Sequence, residues 1–424
     1  MQLVIPVRTD AIALLCHPYH RGGVTRWMVD AGVEWRRRGG ECWFIAPRPR
    51  TEFSSGKGRP LVLELMQSVD PRAVPTIVAP DVGAEFELGT HAYRASVYAA
   101  AVMRSVPPGV AVLGSDDAAA WHAAALLRTA HPMIGVLHAD DPWYYELAHR
   151  YAGSVSAFVA VSSRVQRRLA ELMGPAAPLA ARIPCGIPFA PSDDDHQAWP
   201  TNPRDPARLV WIGRMDEHQK RVSDLPRIAA GLMATGLRFQ LDVIGSGGEA
   251  ATIARQVREL GLDGTVRLHG WQSGEFVQSA LRNADLLLLP SNFEGMPVAA
   301  MEALASGCAV VGSDACGLEE YAERPEAQRC LWIFPVGSVP AAVAAVREAL
   351  QTPSSLRREA ATTFAADEFT IARCMDRYAA VLADLPPVTG PARVSRPRRL
   401  ATQLASLGIS TARRAKQWLH GRAV

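Results

Sequence analysis

The sequence predicts an α/β protein with two domains, each built on a parallel sheet. A chain of 424 residues is too long for one ordinary hydrophobic core. In both halves, short apolar runs alternate with segments of helical periodicity, a pattern typical of buried parallel strands and the helices that cover them. Between the halves, residues 191–206 are rich in Pro and Asp and show no periodicity, which predicts a linker.

The composition is typical of a soluble globular protein, with 48% hydrophobic and 21% charged residues. Seven cysteines form no C-x-x-C pair, which favours buried thiols in a reducing compartment and gives no metal site. The apolar run at residues 11–16 is too short for the core of a signal peptide, and no uncharged apolar run approaches the roughly 20 residues of a spanning helix. We therefore expect a cytoplasmic protein.

The first predicted strand, residues 11–16, is followed by a turn that contains Gly22 and Gly23. Apolar residues then recur at helical spacing, and the arginines before Gly39 suit the last turn of that helix. Gly22 and Gly23 therefore lie at a strand-to-helix turn, where backbone N–H groups can approach an anion. An ordinary turn explains the pair equally well.

Six further strands are predicted in the first half. They cover residues 42–46, 74–79, 110–113, 134–137, 158–161 and 182–189, the last leading out of the domain. His138 directly follows one of them. A lone His is most often structural or on the surface, but the carboxyl end of a strand is where open α/β sheets place ligands, so both interpretations stay open.

The second half begins with a predicted strand at residues 208–214, followed by M-D-E-H-Q-K-R. Arg214 and Lys220 thus lie just beyond the end of a strand. Two cations there suit a diphosphate, Arg through its planar fork and Lys as a point charge. Solvated surface charge is the alternative.

A glycine-rich segment, Gly245-S-G-G-E-Ala250, lies between a predicted strand at 239–244 and a helix at 251–260. Its G-x-G-x-x-A spacing suits a dinucleotide site, which also needs an acidic residue at the end of the next strand. That strand, 265–270, ends instead around His269, and the segment lies in the middle of the domain. An NAD or NADP site is therefore disfavoured, and we expect no cofactor.

Residues 285–313 form a predicted strand–loop–helix–strand unit. The strand covers 286–289, Pro297 begins the helix, and the next strand starts at Ala309. The unit contains two glutamates, Glu294 in the loop and Glu302 on the helical stripe that faces the sheet. A carboxylate there needs a partner, and spacing alone leaves open whether Glu302 has a structural partner or a ligand.

The C-terminal part is predicted to contain helices at 340–350 and 354–365 and an amphipathic helix near 366–385, followed by a basic tail at 386–424. Residues 391–424 hold eight Lys or Arg and no Asp or Glu. Because the whole chain has a net charge of +3, the rest of the chain carries about −5. Such a tail could bind an anionic membrane surface or remain solvated. We do not expect nucleic acid to be its partner.

The sequence resembles the retaining glycosyltransferases of family 4, which have the GT-B fold: two Rossmann-like domains face each other across a cleft, and a C-terminal helix crosses back to the N-terminal domain. The resemblance covers roughly residues 11–385. Its most specific motifs are F-E-G-M-P-V-A-A-M-E-A-L-A-S-G-C-A-V-V (293–311), with the family's E-x₇-E, and I-G-R-M-D-E-H-Q-K-R (212–221). Weaker matches are R-G-G-V (21–24), His138 with its strand, A-V-S (160–162), V-I-G-S-G-G (243–248) and H-G-W (269–271).

The resemblance implies an acceptor domain at 1–190 and a nucleotide-sugar donor domain at 207–365, with 366–385 as the crossing helix. Its implied donor and catalytic residues share a position around the cleft. Arg214 and Lys220 would neutralise the diphosphate, and Glu302 would bind the ribose. Glu294 and His138 would contact the sugar, while the backbone N–H groups of Gly295, Met296 and Val298 would hold sugar and phosphate. Gly213 would border the donor, and Gly22 and Gly23 would leave room for phosphate or acceptor.

The implied activity is sugar transfer, with retention of configuration, from a nucleotide-sugar such as a UDP- or GDP-sugar to a sugar or lipid-linked acceptor. The expected pathway class is cell-envelope or extracellular polysaccharide or glycolipid biosynthesis, without a metal. A GT-B epimerase or phosphorylase, or a non-catalytic sugar-nucleotide binder, is the alternative. Two positions depart from the family: Cys185 stands where Asn is frequent, and Ser246 where Asp is frequent. Neither is expected to touch the chemistry directly.

Overall fold

The computed structural model describes residues 2–17, 22–49, 61–82, 86, 89–174, 180–188 and 205–391. Two parallel sheets dominate it, one in each half of the chain. The strands are β1 (Gln2–Ile5), β2 (Arg8–Leu15), β3 (Glu41–Ile45), β4 (Arg48–Pro49), β5 (Thr76–Val78), β6 (Asp81–Val82), β7 (Val110–Gly114), β8 (Met133–Leu137), β9 (Ala157–Ala160), β10 (Ala180–Arg182), β11 (Ala207–Ile212), β12 (Phe239–Ile244), β13 (Val266–Gly270), β14 (Leu286–Leu289), β15 (Ala309–Ser313), β16 (Leu331–Phe334) and β17 (Val388–Pro391).

Helices cover both sheets. They are α1 (Gly23–Arg37), α2 (Leu61–Leu65), α3 (His91–Ser105), α4 (Ala118–Leu127), α5 (Pro142–Tyr151), α6 (Ser163–Met173), α7 (Glu217–Lys220), α8 (Asp224–Ala234), α9 (Ala250–Glu259), α10 (Gly274–Asn283), α11 (Val298–Ala305), α12 (Val339–Gln351), α13 (Ser354–Glu368) and α14 (Ile371–Asp384). Among the residues described, no helix combines the length and the apolar character needed to cross a membrane.

The first sheet has seven parallel strands in the order β10-β9-β8-β7-β2-β3-β5. The second has six parallel strands in the order β13-β12-β11-β14-β15-β16. In each sheet the chain first adds strands on one side of its first strand and then crosses to the other side. The two reversals, between β2 and β7 and between β11 and β14, are the crevices in which open α/β sheets bind ligands.

Helix α14 packs against the first domain, as the GT-B prediction requires. Its Tyr378 ring lies 5.9 Å from the Trp27 ring of α1. Arg38, at the end of α1, contacts Asp376 at 2.6 Å and donates to the carbonyl oxygen of Ala372 at 2.5 Å. The last described helix therefore joins the second half of the chain to the first.

Several predicted boundaries differ from the structure. The predicted strand at 182–189 is absent over residues 183–188: β10 ends at Arg182, and Ile187 forms only an isolated bridge with Thr370. Pro297 is the N-cap of α11 rather than its first residue, because its ψ of 118° is extended. Within the predicted tail, β17 pairs antiparallel with β1. The tail after residue 391 lies outside the described residues, as does most of the predicted linker.

Candidate active site

The reversal between β11 and β14 brings two loops of the second domain together. Arg214 and Lys220 follow β11, whereas Glu294 follows β14, and the two strands pair in parallel. The wholly buried leucines of β14 fix the strand in the sheet and leave its polar loop at the carboxyl edge. The sheet order thus explains why residues some 75 positions apart meet at one point.

Lys220 and Glu294 form a buried ion pair. The Lys220 Nζ lies 2.6 Å from Glu294 Oε1, and the side chains are 16% and 6% exposed. Ser291 Oγ donates to the same oxygen at 2.8 Å, and Gln219 Nε2 donates to Oε2 at 3.2 Å. The Glu294 carboxylate therefore has three donors, as a buried charge requires.

Arg214 belongs to the same network but is exposed. Its Nη2 donates to Gln219 Oε1 at 3.0 Å, so a neutral amide connects it to the Lys220–Glu294 pair. Among the residues described, it forms no ion pair with a carboxylate. Its positive charge is therefore available to an anion.

The glycines after β12 are explained by close backbone packing. A Cβ at Gly245, whose φ is +146°, would collide with the carbonyl oxygen of Gly213, and one at Gly247 would collide with that of Met215. The loop therefore packs directly on the backbone around Gly213 and Arg214. This contact accounts for the G-x-G spacing without a dinucleotide.

Glu302 lies on α11, half-buried and facing the first domain. Loss of hydration raises its carboxyl pKa from 4.5 to about 7, with Arg26 opposing this shift and Asp30 adding to it. Arg26 and Asp30 lie on α1 and form an ion pair of 3.1 Å, while burial raises the pKa of Asp30 to about 6. Within the described parts of the chain, the Glu302 carboxylate has no hydrogen-bond partner.

His138 is 8% exposed and lies between the two domains. Its Nδ1 is 3.6 Å from Cys185 Sγ, and the centroid of its ring lies 4.9 Å from that of Trp27 in a T-shaped arrangement. Burial lowers its pKa from 6.5 to about 4, so the imidazole is neutral. Its buried Nε2 has no partner among the described residues. Cys185, which departs from the family pattern, therefore contacts a candidate site residue.

The loops of the two domains meet without space for side chains. A Cβ at Gly295 would collide with the His138 carbonyl oxygen and would lie 2.7 Å from Val161 Cγ2. A Cβ at Gly23 would lie 3.2 Å from Val298 Cγ2. Gly22 and Gly23 thus lead into α1 opposite the start of α11. The first hydrogen bond within α11 is donated by the N–H of Ala300 to the carbonyl oxygen of Pro297, so the N–H of Val298 lies before it in the chain. The Met296 side chain is buried in the core.

Two ion pairs hold the domains in this arrangement. Arg164 contacts Glu319 at 2.7 Å, and Arg182 contacts Glu320 at 2.8 Å. The second oxygen of Glu320 also accepts the backbone N–H of Ser163 at 2.8 Å. The closed cleft is therefore supported by polar contacts on one side and by α14 on the other.

Four residues of the site are missed by the sequence patterns. Gln219 lies in the 212–221 motif and Cys185 departs from the family pattern, but the roles of both, like that of Ser291, are identified only by their contacts. Asp116 follows β7 at the reversal in the first sheet, and its charge acts on His138. The S-D-D segment at a strand end is a signal that could have identified it.

All seven cysteines are buried and unbridged. In the described ranges, no three His, Cys, Asp or Glu side chains converge as a metal site would require.

Comparison with known proteins identifies two family models in the chain. Glycosyltransferase Family 4 matches residues 21–190, and Glycosyl transferases group 1 matches residues 193–364. A lipopolysaccharide 1,6-galactosyltransferase of Salmonella typhimurium is 40% identical over 112 residues, which are 26% of this chain and 30% of that protein. The amylovoran biosynthesis glycosyltransferase AmsK of Erwinia amylovora is 31% identical over 145 residues, 33% of this chain and 35% of that protein. The chain thus aligns with about a third of the length of these curated relatives.

Solved structures match over nearly the whole described chain. Anabaena Alr3699/HepE, in complex with UDP and glucose, has a TM-score of 0.66 at 17% identity and covers 88% of this chain and 100% of its own. The lipopolysaccharide outer core galactosyltransferase WaaB, in its apo form, has a TM-score of 0.61 at 17% identity, with 88% and 100% covered. At such identities these matches establish the fold, which is GT-B. With both family models matched in order, the chain belongs to glycosyltransferase family 4.

Proposed function

We propose that this protein transfers a sugar from a nucleotide-diphosphate-sugar to a carbohydrate or lipid-linked acceptor, with retention of the anomeric configuration. The observation that carries the proposal is the buried Lys220–Glu294 pair at the β11/β14 reversal, opposite a neutral His138 with an unpartnered Nε2. Such a constellation spans both domains and combines a cationic donor, an anionic acceptor and a neutral imidazole around one crevice. Those are the groups that a diphosphate joined to a sugar requires.

Each part of the donor has a candidate partner. Arg214 and Lys220 would contact the diphosphate, and the N–H groups at the start of α11 add positive potential there. Glu302, which has no protein hydrogen-bond partner among the described residues, would accept the ribose hydroxyls. Glu294 and His138 would bind the hydroxyls of the sugar.

Bond cleavage develops negative charge on the leaving diphosphate and positive charge on the sugar ring. Fixed donors stabilise the first charge, and loss of one such donor typically reduces the rate by about 10²–10³. Closure of the cleft excludes water and limits hydrolysis of the donor. A neutral His138 adds no positive charge beside the sugar.

Retention is proposed to proceed by attack on the same face as the leaving diphosphate, which helps to remove the acceptor proton. A covalent intermediate would need a carboxylate free to attack the anomeric carbon. Glu294 is held by Lys220, Ser291 and Gln219. These contacts favour a role in positioning the sugar.

We infer a role in cell-envelope or extracellular polysaccharide biosynthesis from the names of the relatives, which concern lipopolysaccharide, amylovoran and colanic acid. The basic residues 391–424 are proposed to bind an anionic membrane, where lipid-linked acceptors would reside. Flotation with anionic and neutral liposomes tests this, comparing the full chain with a variant in which the eight Lys and Arg are changed to Gln. Equal flotation of the two proteins would contradict the membrane proposal.

The donor proposal is tested by a thermal-shift screen with UDP, GDP and ADP, followed by titration calorimetry with the matching nucleotide-sugar. Glu302→Ala and Arg214→Ala should weaken binding about tenfold or more, because each removes a charge-assisted contact. Arg255→Ala is the control, because Arg255 lies on α9 in an exposed pair with Glu259. Unchanged affinity in both site variants would refute the proposal.

Product analysis separates transfer from other reactions of this scaffold. An epimerase converts the donor without an acceptor, and a phosphorylase needs only phosphate. A transferase releases the nucleoside diphosphate faster when its acceptor is added. Proton NMR of the anomeric signal of the product then reports retention or inversion.

A further inference from the structure

Cys185 is in direct contact with the candidate sugar-binding histidine. Its Sγ lies 3.6 Å from His138 Nδ1, and both side chains are buried. The contact joins residues 47 positions apart, one after β8 and the other beyond β10. The opposite ring nitrogen, Nε2, is buried without a partner among the described residues.

We propose that Cys185 is a positioning residue: its S–H donates to Nδ1 of His138, so that the ring proton resides on Nε2 and is presented to an oxygen of the donor sugar. That the ligand at Nε2 is a donor sugar rests on the proposed function. The state of the ring, however, is a property of the protein alone.

The direction of the hydrogen bond follows from the chemistry of the two groups. A thiol is a weak donor and a weak acceptor, whereas a neutral imidazole has one good acceptor nitrogen. Burial raises the pKa of the Cys185 thiol well above its usual value, so the group keeps its proton. Burial also keeps His138 neutral. The S–H therefore matches the nitrogen lone pair better than a ring N–H matches sulfur.

The surroundings restrict the ring from other sides. The edge contact with Trp27 limits its rotation, and the His138 backbone is pressed against Gly295. Among the described residues, Asp116 is the charged group that acts on the ring. With Nδ1 occupied by the thiol, Nε2 is the position from which His138 can donate.

The consequence is a neutral N–H donor beside the sugar. Such a donor can bind a hydroxyl or ring oxygen without placing a positive charge next to the cation that develops on the sugar. A side chain at position 185 that accepts but cannot donate would draw the proton to Nδ1 and leave Nε2 as an acceptor. The identity of residue 185 thus determines the hydrogen-bond polarity of the sugar site.

The ring state is tested by long-range ¹H–¹⁵N NMR of the full chain labelled at histidine nitrogens, with the His138→Gln variant used for assignment. We expect the wild type to carry its proton on Nε2. Cys185→Ser, which keeps a donor of similar size, should give the same pattern. Cys185→Ala should shift both ring nitrogens. A proton on Nδ1 in the wild type, or an unchanged pattern in Cys185→Ala, would overturn the inference.

The functional consequence is measured as a ratio of affinities. UDP-galactose, UDP-glucose and GDP-mannose are each compared with the corresponding nucleoside diphosphate. Cys185→Ala should lose about three- to tenfold in affinity for the nucleotide-sugar, the loss expected for one hydrogen bond, whereas affinity for the diphosphate stays constant. Cys185→Ser should preserve the ratio.

A purely structural role for Cys185 would lower both affinities together and leave the ratio unchanged, and that outcome also overturns the inference. Failure of the wild type to bind any nucleotide-sugar contradicts the proposed function instead. In that case the NMR pattern still decides whether the thiol sets the state of the ring.

Discussion

The Glu302→Gln variant should be more stable than the wild type at pH 8 and yet bind nucleotide less tightly. Glu302 is a carboxyl group at the interface between the domains, and loss of hydration raises its pKa to about 7. Above that pH the folded protein must hold a poorly compensated charge. Glutamine keeps the size of the side chain and removes the charge.

The magnitude follows from the pKa shift. A raised carboxyl pKa means that the folded state binds the proton more tightly than the unfolded state. The associated stability is fully present below about pH 4.5 and is lost as the pH rises to about 7. Each pH unit in this interval corresponds to about 1.4 kcal/mol, which gives an upper limit of about 3 kcal/mol. Because Glu302 is half-exposed and solvent screens its charge, we expect about 1–2 kcal/mol.

The assay is thermal unfolding of the full chain between pH 4 and pH 8.5, with and without the nucleoside diphosphate selected in the screen. The difference in Tm between variant and wild type should grow from near zero at pH 4.5 to roughly 2–8 °C at pH 8. Affinity should fall about tenfold, because a charge-assisted hydrogen bond becomes a neutral one. A Tm difference that does not vary with pH, or a less stable variant at pH 8, would refute the reasoning.

Three other substitutions test the site and the closed cleft. Lys220→Ala leaves Glu294 buried with only neutral donors, so the free energy of unfolding measured by urea titration should fall by about 3–5 kcal/mol. The double variant Lys220→Ala/Glu294→Gln should recover most of this loss. Absence of recovery would argue against the ion pair. Gly295→Ala places a Cβ against the His138 carbonyl oxygen, so the domains should separate. Small-angle scattering should show a larger radius of gyration, and an unchanged radius would contradict direct packing. Arg164→Ala removes a partly exposed pair and should cost less than about 1 kcal/mol, so a much larger loss of Tm would show that closure depends on it.

Much of the fold could be predicted because it depends on local patterns. The bounds of β12 and β14 coincide with the predicted strands. Strand β14 is a short run of four leucines that ends at Pro290, and β12 (F-Q-L-D-V-I) ends at Gly245. Pairing between distant ends of the chain could not be predicted in the same way. Strand β17 contains Gly390 and Pro391, which disfavour strands, and it forms because β1 provides a partner nearly 400 residues away.

The same distinction applies to the site: local motifs identify some of its residues, and only the fold shows the contacts of the others. Lys220 and Glu294 are found by motif, and the structure brings them into contact. Gln219 and Ser291 complete the hydrogen bonds to Glu294. Gln219 lies in the same motif as Lys220, but its partner is 75 residues away and the motif does not indicate the contact. Cys185 differs from the family's frequent residue, and only the fold shows that it contacts His138.

The charges of the site also indicate which cation holds the diphosphate. Lys220 is compensated by Glu294 at 2.6 Å, so the pair adds little net charge. Arg214 is bound to a neutral amide, and its charge acts in full on an anion. Arg214→Ala should therefore weaken binding of the free nucleoside diphosphate more than Lys220→Ala does, and should reduce its salt dependence.

Lys220→Ala should act on the sugar as well as on the diphosphate, because without the lysine Glu294 loses its strongest fixed contact. Its affinity for the nucleotide-sugar should fall more than its affinity for the diphosphate alone. Calorimetry at two ionic strengths with both ligands measures these differences, with Arg255→Ala as the control. If Lys220→Ala and Arg214→Ala weaken the diphosphate equally, then Lys220 must leave Glu294 when the donor binds, and the ion pair is a feature of the unliganded state alone.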